Sequence, residues 1–147
     1  MIIFTPNTVI KSADINLNFT ELKTKTDYLI TPDNNWHYIG ASGEPAFQNS
    51  WVNYEASETN FYQASFFKDA LGNVRCRGIV KSGTVSYTVP IFTLPAGYRP
   101  KQQIRFPQAT NPGAVGYTNV WADGRVTVEV GSNGWIFLDS INFKAEQ

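Results

Sequence analysis

The sequence predicts a mainly β protein: an antiparallel β-sandwich head preceded by a short N-terminal α-helix suited to a coiled coil. Three observations predict it. From Trp51 onward apolar residues recur at every second position, and turn residues interrupt the runs at short intervals. Helical periodicity is confined to one stretch, Ser12 to Ile30. Aromatic residues make up 14% of the 147 residues, alongside many Val, Thr and Gly, a composition that fits pleated, half-buried surfaces.

Residues 1–11 hold a short extended run, Ile2-Ile3-Phe4, halted by Pro6. Ser12 then offers a helix N-cap, and Asp14 places a negative charge in the first turn, where it complements the helix dipole. Within residues 12–30, Ile15, Phe19, Leu22, Thr26 and Leu29 follow the four-three alternation of a heptad seam, with polar residues between them apart from Leu17 and Tyr28. Thr31-Pro32 ends the helix, because a residue before proline is pushed out of the α region. So narrow an apolar stripe needs a neighbouring helix, and the chain supplies no second one. Another copy of the same segment is the partner this favours. With only about two heptads where three or four define a coiled coil, the stripe could instead lie across the domain that follows.

Residues 31–50 read as a linker by their Pro, Gly, Asn and Ser content, yet Trp36, Tyr38, Ile39 and Phe47 are too apolar for a free tether. The segment is expected to pack on the head, with Trp36 to Ile39 as a short strand. The head proper spans residues 51–147. Trp51 to Tyr54, Tyr62 to Phe67, Val74 to Val80, Val85 to Leu94, Ala114 to Trp121, Arg125 to Val130, Trp135 to Leu138 and Ser140 to Lys144 read as strands. Residues 68–73, Asp123-Gly124 and Asn133-Gly134 read as hairpin turns. Five of the eight prolines fall between Pro90 and Pro112. Proline cannot donate into a ladder, so that region should hold edge strands, kinks and crossing loops rather than central strand.

Composition removes several function classes. Lys and Arg number 12, as do Asp and Glu, for zero net charge with 16% charged residues, which is no footprint for nucleic acid. The N-terminus lacks a secretory pattern, and no apolar run is long enough to cross a bilayer. Cys76, the single cysteine, excludes an intrachain disulfide and reads as a packed core thiol in an alternating strand. His37, the single histidine, lies beside Trp36 and Tyr38 and reads as structural, leaving no nucleophile–base pair. Neither residue type can cluster into a metal site, and no cofactor is implied. Glu55 and Glu58 stand in a turn-rich stretch. Carboxylates from distant strands could still converge as in a glycosidase. The glycines at 113–116 and 131–134 read as turns, since neither run has the strand-then-helix setting of a phosphate loop. Asn18-Phe19-Thr20 is a sequon within the helix and reads as coincidental.

The remaining candidates lie on the surface. Arg75 and Arg77 face away from Val74 and Cys76, while Arg125, Thr127 and Glu129 face away from Val126, Val128 and Val130. Trp121, Asp123 and Asn133 occupy loop tips, where an aromatic ring beside carboxylate and amide groups can stack on a sugar and bond its hydroxyls. They could equally be ordinary turn residues.

Residues 4–29, FTPNTVIKSADINLNFTELKTKTDYL, resemble the N-terminal segments of tailed-phage fibre and baseplate proteins, in which such a phrase opens a trimeric helix. NWHYIGASGEPAFQNSWVNY, VRCRGIVKSG and IFTLPAGYRP resemble a β-sandwich module of phage tail fibres and receptor-binding proteins. In the last phrase Gly97, Tyr98 and Arg99 look architectural, and no catalytic residues carry over. The resemblance implies a structural protein of the virion, made in the host bacterial cytoplasm. It implies a homotrimer in which residues 1–11 dock to other virion proteins and residues 12–30 form the stalk. The head then meets a host-surface saccharide, with Trp121, Asp123, Arg125 and Asn133 as candidate receptor-binding residues. A virion decoration or adaptor protein is the alternative, and a carbohydrate-processing enzyme a remote one.

Overall fold

The computed structural model describes residues 19–22 and 35–146. The chain divides into two units, Met1–Pro32 and Asp33–Gln147. In the first, residues 19–22 are helical, and Phe19 and Leu22 are 66% and 59% exposed. The docking segment 1–11, the Ser12 cap, the Thr31-Pro32 stop and the seam positions Ile15, Thr26 and Leu29 lie outside the described residues.

The second unit is mainly β, as composition and periodicity predict. Its strands in chain order are β1 (His37–Tyr38), β2 (Val52–Asn53), β3 (Ser65–Lys68), β4 (Asn73–Arg77), β5 (Ile79–Lys81), β6 (Ser86–Thr93), β7 (Ile104–Thr110), β8 (Ala114–Val120), β9 (Arg125–Val130), β10 (Ile136–Phe137) and β11 (Asn142–Lys144). They form a four-stranded sheet, β1-β3-β4-β11, and a seven-stranded sheet, β2-β5-β10-β7-β8-β9-β6. Every pairing is antiparallel. One core joins them: Phe66, Val74, Cys76 and Phe143 from the smaller sheet meet Val80, Phe92, Val120, Val126, Val128 and Ile136 from the larger, around the buried Trp51. Period two explains the partition, since alternate residues of each strand point into this core while the others face outward.

The turn at 68–73 is built by Asp69. Its carboxylate accepts the N–H groups of Leu71 (2.9 Å) and Asn73 (2.8 Å) and the Asn73 side-chain amide (2.8 Å). These bonds, the Asn73 side chain foremost, hold the Asp69 carboxyl below its ordinary value. Asp123-Gly124 likewise joins β8 to β9, with Gly124 at φ +91° donating to the Trp121 carbonyl.

Four expectations need correction. Val74 to Val80 is not one strand. Gly78, at φ +100°, breaks it, sending β4 into one sheet and β5 into the other. A side chain there would be driven onto the backbone of Gln63 and Ala64. Asn133-Gly134 does not make a hairpin either, because β10 pairs with β5 and β7 rather than with β9. The Asn133 carbonyl accepts the Ser82 N–H (2.7 Å) and the Trp135 carbonyl the Asn111 N–H (3.1 Å), which draws the chain across to those strands. The proline-rich region, moreover, contains an interior strand, β7, with Pro107 inside it. It is tolerated because β10 meets β7 only at Thr110, so the ladder is absent beside Pro107 on that flank. Pro90 behaves as expected, at a register shift in the edge strand β6. The run from Tyr62 also begins to pair only at Ser65.

Cys76 is a buried free thiol, and burial, with the Asp139 charge adding to it, pushes its pKa up to about 12. His37 is structural: it stacks on Phe66 at 5.0 Å, while Nδ1 meets Glu44 at 2.8 Å and Nε2 meets the Tyr98 hydroxyl at 3.2 Å.

Candidate functional site

The β8–β9 hairpin gathers three of the four residues expected from sequence. Trp121 follows β8, Asp123 is the second central residue of the turn, and Arg125 begins β9. The Asp123 carboxylate accepts from the Arg125 N–H (3.2 Å) and from its Nε (2.8 Å). Partial desolvation works against the charge on Asp123, but these bonds and the nearby Arg125 and Arg99 charges outweigh it and hold the carboxyl below its ordinary value. The Arg125 guanidinium lies 4.4 Å from the Trp121 ring centroid and donates to the Thr88 carbonyl at 3.1 Å.

Trp121 is fixed from below, since its Nε1–H donates to the hydroxyl of the buried Thr127 at 3.1 Å. Thr127 does share the outward face with Arg125 and Glu129, as alternation predicts, but this cover buries it. Tyr87, from β6, packs against Trp121 with centroids 4.8 Å apart and donates its hydroxyl to Gln103 at 3.0 Å. The result is an aromatic shelf of Trp121 and Tyr87, with a guanidinium and a carboxylate at its edge. Asn133 is not part of it, because it lies beyond the far end of β9.

Beside the shelf the same sheet face carries a polar network centred on the buried Asn119. Its Oδ1 accepts from Gln103 (3.1 Å) and Arg105 (3.2 Å), and its Nδ2 donates to Glu129 (3.0 Å). Arg105 also pairs with Glu129. A buried amide satisfied on both ends is rigid, so these side chains present a fixed surface.

Chemically the arrangement can stack and hydrogen-bond. Asp123 and Glu129 are each engaged by an arginine, and neither faces a nucleophile. Glu55 and Glu58 serve their own loop, accepting the N–H groups of Asn60 and Gln63 at 3.0 Å each. Among the described residues no three His, Cys, Asp or Glu side chains gather as metal ligands.

Tyr87, Gln103, Arg105 and Asn119 were not singled out from sequence. Arg105, Asn119 and Trp121 do alternate with Ile104, Phe106 and Val120, which signals one outward face. Tyr87 left no comparable signal, because its position depends on how an irregular β6 pairs with β9.

No family model matches this sequence, and no curated protein matches it. The fold, however, has a counterpart. It is similar to the crystal structure of the receptor binding protein (gp15) of Listeria phage PSA, with a TM-score of 0.61 over 97% of this chain and 83% of that one. At 18% sequence identity the likeness is one of fold, the kind of fold that the sequence resemblance implies.

Proposed function

We propose that this chain is a homotrimeric phage attachment protein whose β head meets a saccharide on the host surface. The fold likeness to a phage receptor binding protein, extending over nearly the whole chain, carries this reading. In it, residues 1–11 dock to the virion, and residues 12–30 form a three-helix stalk around Ile15, Phe19, Leu22, Thr26 and Leu29. The large exposed area of Phe19 and Leu22 is what such a seam would bury. The shelf of Trp121 and Tyr87, edged by Arg125 and Asp123, faces the glycan, while Asn133 stands too far along β9 to join. Three linked heads would raise weak attachment by factors on the order of a hundred or more.

The purified protein should scatter light as a trimer and compete with phage for adsorption to host cells. Leu22→Asp should return it to a monomer and remove the competition. An unchanged mass would refute the seam. Removing residues 1–11 should spare the trimer and abolish incorporation into particles.

A second reading, a decoration or adaptor protein, is favoured by an apolar strip on the larger sheet. Val115, Tyr117 and Val130 are all exposed there, the last two directly paired across β8 and β9. A trimer that binds virion proteins but never competes for host cells would select this reading.

A further inference from the structure

A second concave site lies on the outer face of the larger sheet, where β5 and β10 meet. It is a cavity of about 310 Å³ lined by Tyr54, Phe61, Ile79, Trp135 and Phe137, at the lower end of the range for small-molecule sites. Ile79 and Phe137 form its floor as a directly opposed pair. Ile79 is only 4% exposed although it stands apart from the main core cluster, so the surrounding rings cover it. Those rings meet edge to face: Tyr54 and Phe61 at 6.0 Å, Phe61 and Phe137 at 6.4 Å, Trp135 and Phe137 at 5.5 Å.

The outer wall is positioned in advance. Phe61 belongs to a loop without regular structure, yet the Glu55 carboxylate accepts the N–H and side-chain amide of Asn60 and the N–H of Phe61. Glu58 accepts the N–H of Gln63, whose own amide donates to the Ala56 carbonyl. A loop tied down this way loses little freedom when a ligand arrives.

The chemistry of the walls narrows the occupant. Four of the five lining residues are aromatic, and their electron-rich faces attract the weakly positive C–H groups on the apolar side of a pyranose. Tyr54 and Trp135 also bring a hydroxyl and an indole N–H that bond to no other described residue. An aliphatic side chain would desolvate such groups without satisfying them, whereas sugar hydroxyls can pair with them. Charges of both signs border the site: the Lys81 ammonium lies 5.0 Å from the Tyr54 centroid, Glu55 follows Tyr54 in the chain, and Asp139 lies two residues beyond Phe137.

We infer that this aromatic basket binds one neutral pyranose ring of a glycan, as a saccharide subsite separate from the Trp121 shelf. The inference rests on the saccharide-attachment reading for its ligand class. The test uses the full chain with the methyl glycosides of glucose, galactose and mannose, read by saturation-transfer NMR. At least one should receive saturation on its ring C–H protons. Phe61→Ala should cut the transfer by about fivefold, the loss of one aromatic wall. Phe61→Tyr should restore it, with all three proteins compared in a Trp121→Ala background so that the shelf contributes no transfer. Phe61 is exposed and in a loop, so its truncation leaves the core intact. No transfer to any of the three, undiminished transfer in Phe61→Ala, or stronger competition by N-acetylphenylalaninamide would overturn the inference. Host-cell adsorption is scored separately: adsorption without transfer removes only the basket, and transfer without adsorption removes only the attachment reading.

Discussion

Arg77 on the smaller sheet and Arg125 on the larger one use the same chemistry to different ends. The Arg77 guanidinium lies 3.9 Å from the Trp36 ring and 4.1 Å from Tyr62, and it donates to the Ser65 and Tyr38 hydroxyls at 3.0 Å each. It therefore clamps the short β1 strand to β3 and to Tyr62, in the loop that precedes β3. Arg125 meets one ring, Trp121, and otherwise an exposed carboxylate and a carbonyl. A cation enclosed by rings and hydroxyls is committed to holding the fold. One touched on a single side keeps a face for something else.

Truncating each arginine is the sharpest way to break this contrast. Arg77→Ala removes two close cation–π contacts and two hydrogen bonds, at ~0.5–2 kcal/mol for each contact and ~0.5–1.5 kcal/mol for each bond. A stability loss of about 2–4 kcal/mol is expected in urea denaturation, the lower part of that range because Arg77 is only half-buried. Arg77→Lys should recover less than half of it, because an ammonium lacks the planar fork. A loss no greater than that of Arg125→Ala would erase the distinction.

The two aspartate turns come next. Asp69→Ala should cost about 1–2 kcal/mol, since it leaves three donors of the β3–β4 turn without their acceptor. Both Asp69 and Asp123 have native pKa values below their ordinary ones. Each therefore contributes stability above about pH 4, lost as the pH falls through its native value. Asp69→Asn should flatten the acid limb of the stability curve, read as the melting temperature between about pH 5 and pH 2. An unchanged limb would refute the assignment.

Arg125→Ala should cost about 1 kcal/mol, less than Arg77→Ala, because it loses one ring contact and one carbonyl bond beside a partly exposed ion pair, while weakening host-cell adsorption. The smallest effect belongs to Cys76. With its thiol buried and its pKa near 12, native protein should not react with a thiol reagent until urea unfolds it, and Cys76→Ser should leave adsorption unchanged.

Legibility in the sequence followed the range of the interaction. The Asp69 and Asp123 turns were readable because donor and acceptor sit within four residues of each other. Trp121, Asp123 and Arg125 were readable as a group because one hairpin carries them all. Asn133-Gly134 was misread because a dipeptide reports a local bend and not which strand the chain joins afterward. Pro107 was misread because its tolerance depends on how far β10 extends along β7. The partners of Arg77 and Trp121 come from Trp36, Tyr62 and Tyr87, and only the assembled sheets bring them near.

The break at Gly78 has a mechanical corollary. Residues 73–81 form a backbone segment with one end in each sheet, so neither layer can peel away without pulling on the other. Of the places where the chain passes between the sheets, this is the shortest, a single residue, so tension entering the smaller sheet crosses it into the larger one with the least slack. A substitution at this glycine should therefore loosen both layers at once and make the whole head yield as a unit.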